Sequence, residues 1–175
     1  MFVNPEQTIK SMGIKYGMQV ADFGSGTGFY TVPLARAVGP SGKVYALDAQ
    51  PEMLELTRSK ARESRLLNIA AMRVDLESPR GSKLAENTMD FVLISNILFQ
   101  AEDKPALLKE AFRILKNGGE VAVIEWSSFG SAAGPRTEKI VPREAAEKLL
   151  DDSGFKRIKE FNAGDNHYGL LYGKP

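Results

Sequence analysis

Short apolar runs alternate with amphipathic segments along most of this chain. The runs lie at residues 19–23, 44–47, 70–74, 91–94 and 121–124, and several are rich in Val and Ile. Runs that are apolar at nearly every position are typical of strands buried on both faces of a parallel sheet. Because the segments between them have helical spacing, the sequence predicts right-handed βαβ units and an α/β fold, an open sheet with helices on both faces.

Two of the predicted helices have recognisable ends. Pro51 is a favourable first helical residue, and a helix is predicted from there to Arg65. Asp103 is predicted to cap a second helix, which has Pro105 in its first turn. That helix is expected to end at Asn117-Gly118-Gly119, where residues that tolerate a positive φ are concentrated.

The C-terminal part departs from this alternation. After a predicted helix at 142–153, strand-like segments at 155–161 and 167–172 are separated only by residues 162–166. No helix fits in that gap. The sequence therefore predicts an antiparallel hairpin at the edge of the sheet.

The composition excludes several classes of function. The chain has no cysteine, which excludes disulfides, thiolate metal sites and cysteine nucleophiles. Its one histidine, His167, excludes a polyhistidine metal site, and we predict no metal. With 23 Lys and Arg against 22 Asp and Glu, unaided binding to nucleic acid is not expected.

Length and hydropathy predict one domain in the cytoplasm. The 175 residues suit a single domain spanning 1–175, in which 1–17 form a short N-terminal helical segment. No secretory signal is visible at the N-terminus. The longest nearly apolar run, 91–99, is about half of what crosses a bilayer, so no membrane insertion is expected.

A glycine-rich turn follows the first predicted strand of the sheet. Gly24, Gly26 and Gly28 join this strand to a helix, and glycine is required where backbone turns tightly and a ligand comes close. The N-terminus of that helix offers free N–H groups to an anionic ligand group. Asp48 ends the next strand, twenty residues after Gly28, where a carboxylate accepts hydrogen bonds from ribose hydroxyls. These features indicate a cofactor that contains adenosine.

The residues around the turn favour S-adenosylmethionine as this cofactor. The dinucleotide-binding fingerprint requires glycine or alanine at the position of Phe29. Asp22, two residues before Gly24, would repel a pyrophosphate but complement an ammonium group. S-adenosylmethionine carries an ammonium group and a carboxylate, and it has no phosphate.

Five ordered motifs resemble those of the class I S-adenosylmethionine-dependent methyltransferases. They lie at 22–28, 48–54, 75–76, 90–96 and 109–119. The match is closest to the type-11 group, which resembles the ubiquinone/menaquinone C-methyltransferases. The resemblance implies a Rossmann-like, mostly parallel sheet of seven strands in the order 3-2-1-4-5-7-6, with strand 7 antiparallel.

The resemblance also implies which residues bind the cofactor. The glycine turn contacts the methionine part, Asp48 the ribose, and residues near Asp75 the adenine, while Asn96 lines the wall nearest the methyl group. The N-terminal segment 1–17 is expected near this pocket. The full predicted set is Asp22, Gly24, Ser25, Gly26, Thr27, Gly28, Asp48, Ala49, Met53, Asp75, Leu76 and Asn96.

The catalytic residues and the acceptor remain unassigned. His167 is the one near-neutral titrating side chain and thus a candidate general base, but its position at a strand start favours an exposed or structural role over catalysis. Aromatic walls are expected from the segment Trp126–Phe129 and the following loop to Arg136. Further apolar walls are expected from Phe2, Tyr16 and Phe99.

We predict an S-adenosylmethionine-dependent methyltransferase that acts on a small molecule. Asn96 is not followed by the Pro-Pro-aromatic sequence of enzymes that methylate exocyclic base nitrogens, and the cysteines of arsenite methyltransferases are missing. A nucleotide-dependent oxidoreductase and a non-catalytic S-adenosylmethionine-binding module remain as alternatives. Methylation of RNA or protein would need a partner subunit, and the oligomeric state is left open.

Overall fold

The computed structural model describes residues 4–127 and 139–175. Within these ranges no helix has the length and apolar character needed to cross a membrane. The helices and strands follow one another as α1 (Pro5–Met12), β1 (Gln19–Phe23), α2 (Thr31–Val38), β2 (Lys43–Asp48), α3 (Pro51–Glu63), β3 (Ile69–Arg73), β4 (Met89–Ser95), α4 (Lys104–Ile114), β5 (Leu115–Trp126), α5 (Arg143–Asp152), β6 (Lys156–Asn162) and β7 (His167–Gly173).

The strands form one seven-stranded sheet in the order β3-β2-β1-β4-β5-β7-β6. The first five strands pair in parallel, whereas β7 pairs antiparallel with both β5 and β6. This confirms the predicted fold class and strand order. It also confirms the C-terminal hairpin, which was inferred from the short gap between its strands.

Apolar side chains cover both faces of the central strands. On one face, α4 and α5 pack through residues such as Leu107 and Leu150. On the other, α1 and α2 pack through residues such as Met12 and Leu34. Burial of a side chain of this size contributes about 1.5–3 kcal/mol. Because strands such as β1 are covered on both sides, most of their residues are apolar, which is why they could be found in the sequence.

One helix ends earlier than predicted. Helix α4 begins after Asp103, whose Oδ1 accepts the amide of Ala106 at 2.9 Å, as the capping pattern predicted. It ends at Ile114 rather than at 117–119, because Leu115 is already extended and pairs with Met89. The prediction of the C-terminal end was therefore wrong by about one turn. Gly118, with φ at +79°, turns the backbone within β5 instead.

The carboxyl ends of the parallel strands meet at one edge of the sheet. Phe23, at the end of β1, lies beside Leu47 of β2 on one side and Ile94 of β4 on the other. At the end of β5, Trp126 lies opposite His167, the first residue of β7. The segments that follow or begin these strands therefore meet at this edge, where open α/β sheets bind ligands.

Candidate functional site

The glycine turn after β1 is fixed to the end of β2 by backbone hydrogen bonds. The amides of Gly24 and Ser25 both donate to the carbonyl oxygen of Leu47, at 2.8 and 3.1 Å. The amide of Gly26 donates to Asp48 Oδ2 at 2.9 Å. The turn is thus positioned by the strand that carries the predicted ribose ligand.

Two glycines of this turn are needed for different reasons. Gly24 has φ at +67°, and a Cβ added there would lie 2.6 Å from Ile97 Cδ1. Gly26 has φ at +51°, and no atom lies within 4 Å of the place that its Cβ would occupy. A side chain at Gly24 would thus collide with the protein, whereas one at Gly26 would fill open space beside the backbone. Gly26 therefore leaves room for a ligand.

A cleft of about 250 Å³ lies between the glycine turn, α3 and the ends of β3 and β4. We call it the α3-side cleft. It brings together most of the predicted cofactor residues: Gly24, Gly26, Asp48, Ala49, Met53, Asp75, Leu76 and Asn96. Its other lining residues are Gln50, Val74, Glu77, Ile97, Gln100 and Leu107, which the sequence analysis did not single out.

Polar side chains of the α3-side cleft are held by hydrogen bonds within the protein. Besides Gly26, Asp48 accepts the amide of Gln50 on Oδ1 at 2.9 Å. Asp75 accepts the hydroxyl of Ser78 at 2.5 Å, and this hydrogen bond lowers the pKa of the Asp75 carboxyl. Gln100 Nε2 donates to the Asn96 carbonyl oxygen at 2.9 Å. These carboxylates and this amide are therefore oriented before any ligand binds.

A second cleft, of about 340 Å³, lies on the other side of the glycine turn. We call it the β7-side cleft. It shares Gly24, Gly26 and Asn96 with the α3-side cleft, so the two adjoin. Its other lining residues are Asp22, Ser25, Thr27, Phe29, Tyr30, Ser95, Trp126 and His167.

Asp22 is a buried carboxyl group in the β7-side cleft. Only 2% of this residue is exposed, and Oδ2 accepts the hydroxyl of Thr31 at 2.6 Å. Burial raises the pKa of Asp22 to about 7, an increase that the Thr31 hydrogen bond opposes and the nearby charge of Asp48 reinforces. A cationic ligand group would lower this pKa again, because it stabilises the charged form.

Several polar atoms of the β7-side cleft have no protein partner in the described part of the chain. They are Ser25 Oγ, Asn96 Oδ1 and both ring nitrogens of His167. The His167 ring lies against Trp126, with 4.2 Å between the ring centroids. Burial lowers the pKa of His167, so its imidazole is neutral at pH 7. Buried polar atoms of this kind are normally hydrogen-bonded, so a ligand in the cleft would supply partners that the described residues do not.

Gly28 lines neither cleft. A Cβ added at this residue would lie 3.1 Å from Thr57 Oγ1 of α3, and the same hydroxyl donates to the carbonyl oxygen of Gly26 at 2.9 Å. Gly28 therefore lets α3 approach the turn closely. Its contact with a cofactor stays a prediction.

The N-terminal helix α1 contacts Tyr30, a residue that lines the β7-side cleft. The hydroxyl of Thr8, on α1, is a hydrogen-bond partner of the Tyr30 phenol. Burial raises the pKa of Tyr30 to about 12, against the opposing effect of Thr8. The helix thus supports one wall of the cleft.

Only some of the aromatic residues predicted to line the pocket do so. Trp126 lines the β7-side cleft, as expected. Tyr16 lies elsewhere: it is 68% exposed, and its ring covers Gly39 at the far end of α2. Phe99 packs against the core and lines neither cleft. Phe2 and residues 128–138, including Phe129 and Arg136, lie outside the described residues.

A buried acid that was not predicted from the sequence lies beneath the site. Glu125 of β5 is fully buried, and its Oε1 accepts the amide of Leu98 at 2.7 Å. The nearby amides of Ile97 and Phe99 also favour the charged form of this carboxyl group, but burial still raises its pKa to about 7. Glu125 thus holds the turn after β4, which carries Ile97 into the α3-side cleft. The available signal was an acid at the end of an apolar strand.

The sheet order and the glycine turn together define a Rossmann-like methyltransferase fold. The crystal structure of a SAM dependent methyltransferase from Aquifex aeolicus matches this chain with a TM-score of 0.89. The two sequences are 29% identical, and the match covers 97% of this chain and 89% of the other.

The model of the ubiE/COQ5 methyltransferase family matches residues 4–133, and the chain belongs to this family. It is 36% identical over 122 residues to the demethylmenaquinone methyltransferase of Geobacillus sp. (strain WCH70), covering 70% of this chain and 51% of that protein. It is 38% identical over 125 residues to the enzyme of the same name from Lactococcus lactis subsp. lactis (strain IL1403), covering 69% and 47%. The chain thus spans about half the length of these relatives.

Family membership confirms the class predicted from the motifs, that of S-adenosylmethionine-dependent methyltransferases. It favours this class over the alternative of a nucleotide-dependent oxidoreductase. The sequence features that separated the two, Asp22 and Phe29, both line the β7-side cleft.

Proposed function

We propose that this chain binds S-adenosylmethionine across both clefts and transfers the methyl group to a small aromatic acceptor. The observation that carries this proposal is the pair of adjoining clefts around one glycine turn, with Asp48 on one side and Asp22 on the other. The first carboxylate suits ribose hydroxyls and the second an ammonium group, and no phosphate is needed between them.

The protein groups fit the cofactor along its length. In this proposal Met53, Asp75 and Leu76 surround the adenine, and Asp48 binds the ribose. The open backbone face of Gly26 and the free Ser25 hydroxyl support a binding site for the methionine part.

Binding and orientation are the contribution of the protein to catalysis. The cofactor supplies an electrophilic methyl group on a positively charged sulfur. The protein has to hold an acceptor atom in line with it, and alignment of this kind supplies about 7–11 kcal/mol. Asn96, which borders both clefts, is proposed to position the reacting groups, because an amide does not titrate.

The walls of the β7-side cleft support an aromatic acceptor. Phe29 and Tyr30 meet edge to face, with 5.0 Å between their ring centroids, and Trp126 lines the same cleft. The relatives described above are named demethylmenaquinone methyltransferases. We propose a hydroquinone as the acceptor class, with 1,4-naphthohydroquinone as a simple probe.

Calorimetric titration with S-adenosylhomocysteine tests cofactor binding. The wild-type chain is expected to bind this product, and Asp48→Ala is expected to weaken binding by about 10- to 100-fold, since it removes charged hydrogen bonds worth about 1.5–3 kcal/mol. Asp90→Ala is the matched control, because Asp90 also accepts a backbone amide, that of Gln19 at 2.8 Å, outside both clefts. Unchanged affinity in Asp48→Ala would reject the ribose assignment.

Transfer of a labelled methyl group from S-adenosylmethionine to 1,4-naphthohydroquinone, kept reduced with dithionite, tests the reaction. A methylated product is expected. Tight binding of S-adenosylhomocysteine without transfer to this or other acceptors would instead favour the non-catalytic binding module. Binding of a nicotinamide dinucleotide in place of S-adenosylhomocysteine would reject the proposal.

A further inference from the structure

His167 is placed where an acceptor would meet a base. It is the first residue of β7 and lies opposite Trp126, the last residue of β5. Both residues line the β7-side cleft together with Ser95 and Asn96 from the end of β4. The imidazole therefore belongs to the wall that faces the junction of the two clefts.

Both ring nitrogens of His167 are buried and unpaired within the described ranges. Neither nitrogen has a hydrogen-bond partner among residues 4–127 and 139–175. The ring is held instead by its contact with Trp126 and by a backbone hydrogen bond from its amide to the Gly164 carbonyl oxygen, at 3.3 Å. A structural histidine at this depth would use at least one nitrogen in a hydrogen bond. Since burial keeps the imidazole neutral, one nitrogen carries a lone pair that can accept a proton.

We propose that His167 is the general base of the reaction and removes the acidic proton of the acceptor during methyl transfer. This inference rests on the proposed function. The O–H bond of a hydroquinone hydroxyl breaks, and the proton moves to a ring nitrogen of His167. An electron pair of the resulting oxyanion, shared with the neighbouring ring carbon, forms the new bond to the methyl carbon, while the pair of the carbon–sulfur bond stays on sulfur. When the ring carbon is the atom methylated, its own proton is then lost to water and the ring regains its aromaticity. The imidazolium then returns its proton to water.

Variants of His167 separate this role from a structural one. His167→Phe keeps an aromatic ring against Trp126 but removes both nitrogens. We expect kcat with 1,4-naphthohydroquinone to fall by about 100-fold or more, as the loss of a general base does. The dissociation constant for S-adenosylhomocysteine is expected to stay within about twofold of the wild-type value. In His167→Ala, added imidazole is expected to restore part of kcat.

The single histidine also gives a readout that does not depend on turnover. The imidazole carbon resonances of the wild-type chain in NMR spectra report on His167 alone. We expect them to shift when 1,4-naphthohydroquinone is added to the complex with S-adenosylhomocysteine, and to shift in the same way in the control variant Asp90→Ala, whose substituted residue lies outside both clefts.

Each outcome decides between the proposals. If wild-type protein does not bind S-adenosylhomocysteine, the proposed function fails. If it binds and transfers methyl groups, but His167→Phe keeps kcat within threefold, the general base is rejected and the proposed function stands. The general-base role of His167 is also rejected if His167→Phe weakens binding of S-adenosylhomocysteine by as large a factor as it lowers kcat. It is rejected as well if the His167 resonances do not respond to the hydroquinone.

Discussion

The two clefts share three residues but differ in how their polar groups are held. In the α3-side cleft, Asp48, Asp75 and Gln100 are fixed by hydrogen bonds to neighbouring protein groups. In the β7-side cleft Asp22 is held by Thr31, but Ser25 and His167 have side-chain atoms without partners in the described ranges, as does Asn96, which lines both clefts.

This difference indicates that the two clefts bind different parts of the reacting molecules. A prearranged site costs little further ordering when its ligand binds, and it suits a ligand that is always the same. A site with free polar atoms relies on the incoming molecule to satisfy them, and it determines which molecule is accepted. We infer that the α3-side cleft holds the nucleoside part of the donor, and that the β7-side cleft takes the methionine part and selects the acceptor.

Gly24→Ala should produce the largest effect, because it disturbs the turn that joins the clefts. The new Cβ would lie 2.6 Å from Ile97 Cδ1, and alanine at φ +67° adds strain of about 1–2 kcal/mol. We expect the affinity for S-adenosylhomocysteine in calorimetry to fall by about 100-fold.

Gly118→Ala is the control for backbone strain. Gly118 also has a positive φ, +79°, but no atom lies within 4 Å of its Cβ position, and it lines neither cleft. This variant should lose only the stability that backbone strain costs, about 1–2 kcal/mol, and keep its affinity. Equal losses of affinity in the two variants would contradict the role given to the turn.

The second effect concerns the pH dependence of binding through Asp22. Because its pKa is raised to about 7 in the free protein, binding of the product's ammonium group requires loss of a proton below that pH. The affinity for S-adenosylhomocysteine should therefore fall as pH decreases from 8 to 5.5, approaching about tenfold per pH unit. Calorimetry at a series of pH values measures this slope.

Two variants sharpen this prediction. Asp22→Asn should bind about tenfold more weakly at pH 8 and show little pH dependence, since an amide carries no charge. Thr31→Val removes the hydrogen bond that lowers the pKa of Asp22, so this pKa rises further. The affinity for S-adenosylhomocysteine should therefore begin to fall at a higher pH than in the wild type. If Asp22→Asn retains the wild-type slope, the ammonium contact is wrong.

A smaller effect is expected beneath the α3-side cleft, at Glu125. Its folded-state pKa is about 7 against an ordinary value of 4.5, so the stability it contributes is fully present below pH 4.5 and is lost as pH rises through 7. Glu125→Gln keeps an acceptor for the Leu98 amide and cannot ionise. Between pH 5 and 8 the wild type should therefore lose about 2 kcal/mol more unfolding free energy than this variant.

Urea unfolding at the two pH values measures this difference. Asp22 titrates in the wild type and in the variant alike, so its contribution to the pH dependence cancels when the two proteins are compared. Glu120→Gln, in the middle of the same strand, is the control and should behave as the wild type does. Parallel curves for wild type and Glu125→Gln would show that the acid is not buried as described.

The smallest effect is expected for Tyr16→Ala. Tyr16 covers Gly39 and lines neither cleft, so affinity for S-adenosylhomocysteine should change by less than about twofold. A large loss of affinity in calorimetry would instead support the original prediction that Tyr16 forms an apolar wall of the pocket.

The same contrast explains what could be predicted from the sequence. The α3-side cleft is built largely from segments that directly follow β1, β2 and β3, so glycines, Asp48 and Asp75 appear at recognisable spacings. The β7-side cleft joins residues from distant segments, such as Tyr30, Trp126 and His167, and no local pattern links them. Glu125 was missed because its partners are backbone amides of another loop, which sequence spacing does not encode.

A crystal structure of the complex with S-adenosylhomocysteine would test the central claim most directly. We expect the ribose hydroxyls on Asp48, the amino group beside Asp22, and the sulfur at Asn96, facing Trp126 and His167 across the β7-side cleft. A nucleoside bound away from Asp48, or a sulfur that faces solvent on the α3 side, would contradict the account.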